Sequence, residues 1–133
     1  MGRRELREQI FKLLFRIEFN KPEEMEEQEK LFFEDDEKVF SENDQEYITQ
    51  KYGNIVLKKS EIDTMINEIA EGWKTERMGK VDLTILRLAV YEIRFDEDVP
   101  TSVAINEAVE LAKKYGQDGS PSFVNGILAK FAK

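Results

Sequence analysis

Val81-Asp-Leu-Thr-Ile-Leu-Arg-Leu-Ala-Val-Tyr-Glu-Ile-Arg-Phe95 is the stretch that decides the fold. Leu83, Ile85, Leu86, Leu88, Ala89, Val90 and Ile93 would cover most faces of a helix with apolar side chains. A helix apolar nearly all round belongs at the centre of a helical domain. No period-two alternation competes with this pattern, here or elsewhere in the chain. The class is therefore all-α.

Working upstream, Gly72 and Gly79 loosen the chain on either side of the charged stretch from Lys74 to Met78. Before them, Ile62, Met65, Ile66, Ile69 and Trp73 recur at spacings of three and four, which predicts a helix with Trp73 on its core face. Ser60 and Asp63 form a capping-box-like S-x-x-D pair that would start it. Ser41 would cap another helix, reaching about Leu57, with Tyr47, Ile48, Tyr52, Ile55 and Val56 inward. Pro22, followed by Glu23 and Glu24, suits the first turn of a short helix through about Phe33, with Met25, Leu31 and Phe32 as its apolar contacts. Residues 34–40 are a charged connection. The opening helix runs from about Arg3 to Phe19, with Leu6, Ile10, Leu13, Leu14 and Ile17 on one face and Phe11, Phe15 and Phe19 as a second stripe.

Downstream, Pro100 and Thr101 open a helix carrying Val103, Ala104, Ala108, Leu111 and Ala112, which stops at Gly116 as a C′ residue. Ser120 and Pro121 then supply a capping side chain and a first-turn proline for the last helix, whose core face is Val124, Ile127, Leu128 and Phe131. Asn125-Gly126 reads as helix interior, Gly126 admitting a neighbouring helix. The expectation is seven helices in two three-helix subbundles, about 1–73 and about 79–133, in a single domain over 1–133.

Composition narrows the function. The chain holds neither His nor Cys. Ser-His-Asp triads, Cys-His pairs and His/Cys zinc sites are thereby excluded. No Walker loop and no Gly-rich dinucleotide fingerprint is present. No catalytic residue, cofactor or metal is expected, no segment is apolar enough to span a bilayer, and a cytoplasmic location fits. The net charge of −8 is unevenly spread. Twelve acids stand between residues 23 and 46 (Glu23, Glu24, Glu26, Glu27, Glu29, Glu34, Asp35, Asp36, Glu37, Glu42, Asp44, Glu46) against Lys30 and Lys38. That segment carries −10, so the rest sums to +2. The first 21 residues set Arg3, Arg4, Arg7, Lys12, Arg16 and Lys21 against Glu5, Glu8 and Glu18. A partner responds to such local asymmetry more than to the total. The acidic run itself reads as a solvated face.

Three segments resemble the NusB family of bacterial transcription antitermination factors: Gly79-Lys-Val-Asp-Leu-Thr-Ile-Leu-Arg-Leu-Ala-Val-Tyr-Glu-Ile93, Asp98-Val-Pro-Thr-Ser-Val-Ala-Ile-Asn-Glu-Ala-Val-Glu-Leu-Ala-Lys-Lys-Tyr-Gly116 and Ser120-Pro-Ser-Phe-Val-Asn-Gly-Ile-Leu-Ala-Lys130. The resemblance spans roughly Arg3 to Phe131, strong after Gly79 and loose between Pro22 and Trp73. It implies an all-α fold of two perpendicular three-helix bundles. It also implies binding of single-stranded boxA-type RNA in ribosomal leaders, together with the ribosomal protein NusE, in a transcription elongation complex.

Residue by residue, the resemblance implies Arg3, Arg4 and Arg7 as phosphate binders and Phe15 as an aromatic of the RNA surface. Lys113, Lys114, Tyr115 and Phe123 flank the turn between the sixth and seventh helices, and Asp82 is the position facing the protein partner. Each has a plainer reading beside it: core packing for the aromatics, helix C-terminal cations for Lys113 and Lys114, and a dipole-favoured first-turn acid for Asp82. Where the family carries an acid in the turn, this chain has Gly119, with Asp118 before it. A helical protein adaptor that touches no RNA remains the alternative, and pairing into a homodimer stays open. NusB-like domains also precede some RNA cytosine methyltransferases, but those need a catalytic Cys that this chain lacks.

Overall fold

The computed structural model describes residues 1–35 and 37–132; Asp36 of the acidic run and Lys133 lie outside the described residues. Among the described residues there are six α-helices, three short 3-10 turns and no strand. The helices are α1 (Arg3–Phe15), α2 (Met25–Phe33), α3 (Glu42–Ile69), α4 (Lys80–Phe95), α5 (Thr101–Tyr115) and α6 (Ser120–Phe131). None is long and apolar enough to cross a membrane.

Seven expected helices become six because the third and fourth are one. α3 runs 28 residues without interruption. Nothing between Leu57 and Ser60 forces a stop, since Lys58 and Lys59 are good helix formers and Ser costs only a fraction of a kcal/mol. The expected Ser60–Asp63 capping box does not form. The Ser60 carbonyl accepts the Thr64 hydroxyl at 3.0 Å, an ordinary mid-helix bond, and Asp63 is engaged by Arg87 instead.

The chain forms two compact units, Met1–Val56 and Leu57–Lys133, dividing within α3; the sequence reading set its divide near residues 72–80. In the first unit, α1 gives way to a 3-10 turn at Arg16–Glu18, where the Asn20 amide donates to the Arg16 carbonyl at 2.8 Å. Arg16 then reaches α2: Nη1 donates to the Gln28 carbonyl at 3.1 Å, and the guanidinium lies 5.1 Å from the Phe32 ring centre. Phe32, Phe33 and Phe40 form an aromatic cluster with centroids 5.1–5.8 Å apart. Ser41 caps α3 as expected, its Oγ accepting the Asp44 N–H at 3.1 Å. Ile10, Leu13, Leu14, Met25, Phe32, Ile48, Tyr52 and Ile55 are buried. Leu31, Tyr47 and Val56, expected inside, are exposed, because the apolar arc of each helix is narrower than its apolar content.

In the second unit α4 is the central helix that its sequence requires, with residues 83–92 all buried, and it packs on α5 and α6. Arg87 of α4 makes a two-pronged ion pair with Asp63 of α3, Nε to Oδ1 at 2.8 Å and Nη2 to Oδ2 at 2.9 Å. At the far end of α3, Lys130 donates to the Ile69 carbonyl at 3.4 Å and pairs with Glu71 at 3.7 Å. Val103, read as core, is exposed on α5.

Candidate nucleic-acid interface

The sequence-derived site residues fall into two sets, one in each unit. In the first unit they belong to α1. Gly2 stands at its N-cap without a side-chain cap bond, so the opening N–H groups have no side-chain acceptor there. Arg3 and Arg4, exposed, sit on that turn. Cations here oppose the helix dipole, a small cost that an incoming anion would relieve. Arg7 differs from them in burial, being only 8% exposed. It lies on nearly the same face of α1 as Arg3 and Arg4, one turn further from the helix terminus. Phe15 is half-buried between Phe11, stacked at 6.2 Å, and Phe19, edge-on at 5.0 Å. Phe19, at the open end of this stripe, is 62% exposed.

In the second unit the residues surround the turn from α5 to α6. Lys113 and Lys114 are exposed on the last turn of α5, where cations suit the dipole. Lys113 pairs with Glu110 at 3.3 Å, and the Lys114 ammonium lies 5.5 Å from the centre of the half-buried Tyr115 ring.

Gly116 ends α5, but at φ −89° it is not the left-handed C′ residue expected. Its missing side chain makes room instead. A Cβ there would lie 2.5 Å from both Cβ and Oγ of Ser120. Ser120 in turn is not the forward-facing N-cap of α6, a position held by Gly119. Its buried hydroxyl turns back to accept the Gln117 N–H at 3.0 Å, while its own N–H donates to the Gln117 carbonyl at 3.0 Å. This corner fixes how α6 departs and therefore where Phe123, on its first turn, is held. Gly126 meets nothing within 4 Å of a built Cβ, so no neighbouring helix approaches it.

Phe123 is half-buried and meets Trp73 edge-on at 5.3 Å. Trp73 is a correction to the sequence reading. α3 ends at Ile69, the chain turns at Gly72 with φ +84°, and Trp73 emerges 54% exposed rather than in the core. The glycine immediately before it was the signal that the helical spacing need not continue. Asp82 lies half-buried in the first turn of α4. Among the described residues, no three acidic side chains converge as a metal cage.

The sequence pattern that defines the NusB family matches residues 4–133. The chain belongs to the NusB family. The transcription antitermination protein NusB of Lachnoclostridium phytofermentans is 57% identical over 130 residues, 98% of each chain. Among solved structures, T. maritima NusB superposes with a TM-score of 0.86 at 38% identity, covering 99% of this chain and 91% of that one. A structure of the antitermination factors NusB and NusE in complex with double-stranded RNA gives a TM-score of 0.81 at 27% identity, over 97% of this chain and 94% of its counterpart. The all-α architecture is thus that of the NusB family along essentially its whole length.

Proposed function

We propose that this chain is a non-enzymatic transcription antitermination factor, working in the cytoplasm, which binds single-stranded boxA-type RNA of ribosomal leaders together with NusE and joins the elongation complex. The observation that carries the reading is the near full-length match to a NusB that has been solved with NusE and RNA. The residues available here suit that task. Arg3 and Arg4 offer exposed cations on a helix start lacking a side-chain cap. Lys113 and Lys114 offer two more beside Tyr115 and Phe123, a combination of cations and aromatic rings that suits unpaired bases and their phosphates. Phe15 contributes through the rim of the Phe11–Phe19 stripe. Arg7, being buried, supports α1 from within and leaves the phosphates to Arg3 and Arg4. Asp82 is assigned to the NusE side, where an acid suits a basic ribosomal protein.

The test is a titration of labelled single-stranded boxA RNA at several salt concentrations. Changing Arg3 and Arg4 together to Ala weakens binding and lowers the log–log salt slope by about 1.4, at about 0.7 per lost phosphate contact. Unchanged affinity and slope would remove the α1 terminus from the RNA surface. Equal preference for a duplex of the same sequence would contradict the single-strand assignment.

A further inference from the structure

Trp73 is the largest aromatic side chain in the protein and its only tryptophan. Burying such a ring is worth several kcal/mol, yet it stands 54% exposed. The exposure is held in place. Gly72, in the left-handed region at φ +84°, turns the chain out of α3, and the Trp73 N–H donates to the Ala70 carbonyl at 2.9 Å. Beyond it, the Thr75 N–H donates to Asn67 Oδ1 at 2.8 Å, and Met78 is buried. The ring itself rests against Phe123 at 5.3 Å with an interplanar angle of 74°. An edge-to-face pair leaves ring surface on which a third flat group can stack. Lys74 and Arg77 are exposed in the same segment, with Glu76 between them, and Glu71 is matched by Lys130 at 3.7 Å.

We propose that Trp73, set edge-on against Phe123, is a base-stacking platform for single-stranded RNA. The proposal rests on the RNA-binding function above and extends it to a segment, between α3 and α4, that the family resemblance did not assign to RNA. Lys74, next to Trp73 in sequence, and Arg77, in the turn that follows, favour a nucleic acid as the occupant: phosphates meet these exposed cations while a base covers the indole.

The sole tryptophan makes the test direct. Labelled boxA RNA is followed by anisotropy, and indole emission is followed in parallel titrations with unlabelled RNA. Stacking quenches the emission with the midpoint found by anisotropy. W73A weakens RNA binding about five-fold or more, and W73F retains most of it. W73L keeps apolar bulk without a comparable stacking face; if it melts like the wild type but binds as weakly as W73A, the loss is of stacking and not of folding. RNA binding with unaltered emission and with wild-type affinity in W73A would overturn this proposal while leaving the RNA-binding function standing. Quenching by NusE but not by RNA would make the ring a protein contact and overturn it as well. No RNA binding by anisotropy, with or without NusE, would overturn both.

Discussion

Replacing Gly116 by Ala probes the corner between α5 and α6 with a single methyl group. The backbone there, φ −89° and ψ −169°, suits any residue. On conformational grounds alone, Ala would therefore stabilise by about 0.4–1 kcal/mol through the unfolded chain. Space decides otherwise. The new Cβ would sit 2.5 Å from Ser120 Cβ and Oγ and 2.8 Å from the Ala112 carbonyl oxygen. Two of those three atoms are backbone or attached directly to it, so relief requires the corner to open. Overpacking of this kind costs about 1–3 kcal/mol, and losing the Gln117 N–H to Ser120 Oγ bond adds about 1 kcal/mol. The net expectation for G116A is a loss of about 1–3 kcal/mol, read as a lower urea midpoint at unchanged m. G126A supplies the opposite sign: a Cβ there meets nothing within 4 Å, and replacing an exposed mid-helix Gly gains about 0.5–1 kcal/mol. Adding S120G to G116A removes two of the three close atoms, leaving the Ala112 carbonyl, and should restore part of the loss, a coupling absent from distant pairs. G116A as stable as the wild type, or G126A destabilised more than G116A, would refute the steric assignment.

Asp63→Ala removes the two-pronged partner of the Arg87 guanidinium, whose side chain is 7% exposed, and should cost about 3 kcal/mol in denaturant unfolding; the D63A/R87M double variant should recover part of that. A cost under 0.5 kcal/mol would mean that the pair is solvated. The Tyr52 hydroxyl is pushed up to about 12, first by burial and then by the nearby charge of Glu29. Because its folded value lies above the unfolded value of 10.0, its contribution is complete below pH 10 and lost as pH rises toward 12. The loss, at most about 2 kcal/mol, should be smaller in Y52F, and an equal fall in both proteins between pH 9 and 11.5 would contradict it.

Elements with a strong local signal were legible in the sequence: the all-round apolar run of α4, the Ser41 cap of α3, and the start of α1 at Arg3. Elements whose outcome depends on tertiary neighbours were not. Ser60 and Asp63 have the spacing of a helix start, but Arg87, far along the chain, takes the carboxylate and the helix runs on. The two C-terminal glycines exchanged roles for the same reason. Gly116 looked like a conformational stop and is a space-maker; Gly126 looked like a space-maker and faces outward. Among the site residues, sequence identified the basic start of α1 but could not tell that Arg7, on nearly the same face as Arg3 and Arg4, is buried. Trp73 was placed in the core by its distance from Ile69, a spacing that holds only while the helix lasts, and the helix ends first.

The central claim is that this chain binds boxA RNA as one half of a pair with NusE, and the three-component binding cycle tests it most directly. A protein of formal charge −8 offers RNA only local basic regions, so binding by itself should be weak. A basic ribosomal protein docked alongside enlarges the positive surface. Calorimetry or anisotropy around the cycle should show RNA bound about 5- to 150-fold tighter by the pair, with RNA raising NusE affinity by the same factor, as linkage demands. RNA affinity identical for the pair and for this chain alone would contradict the account.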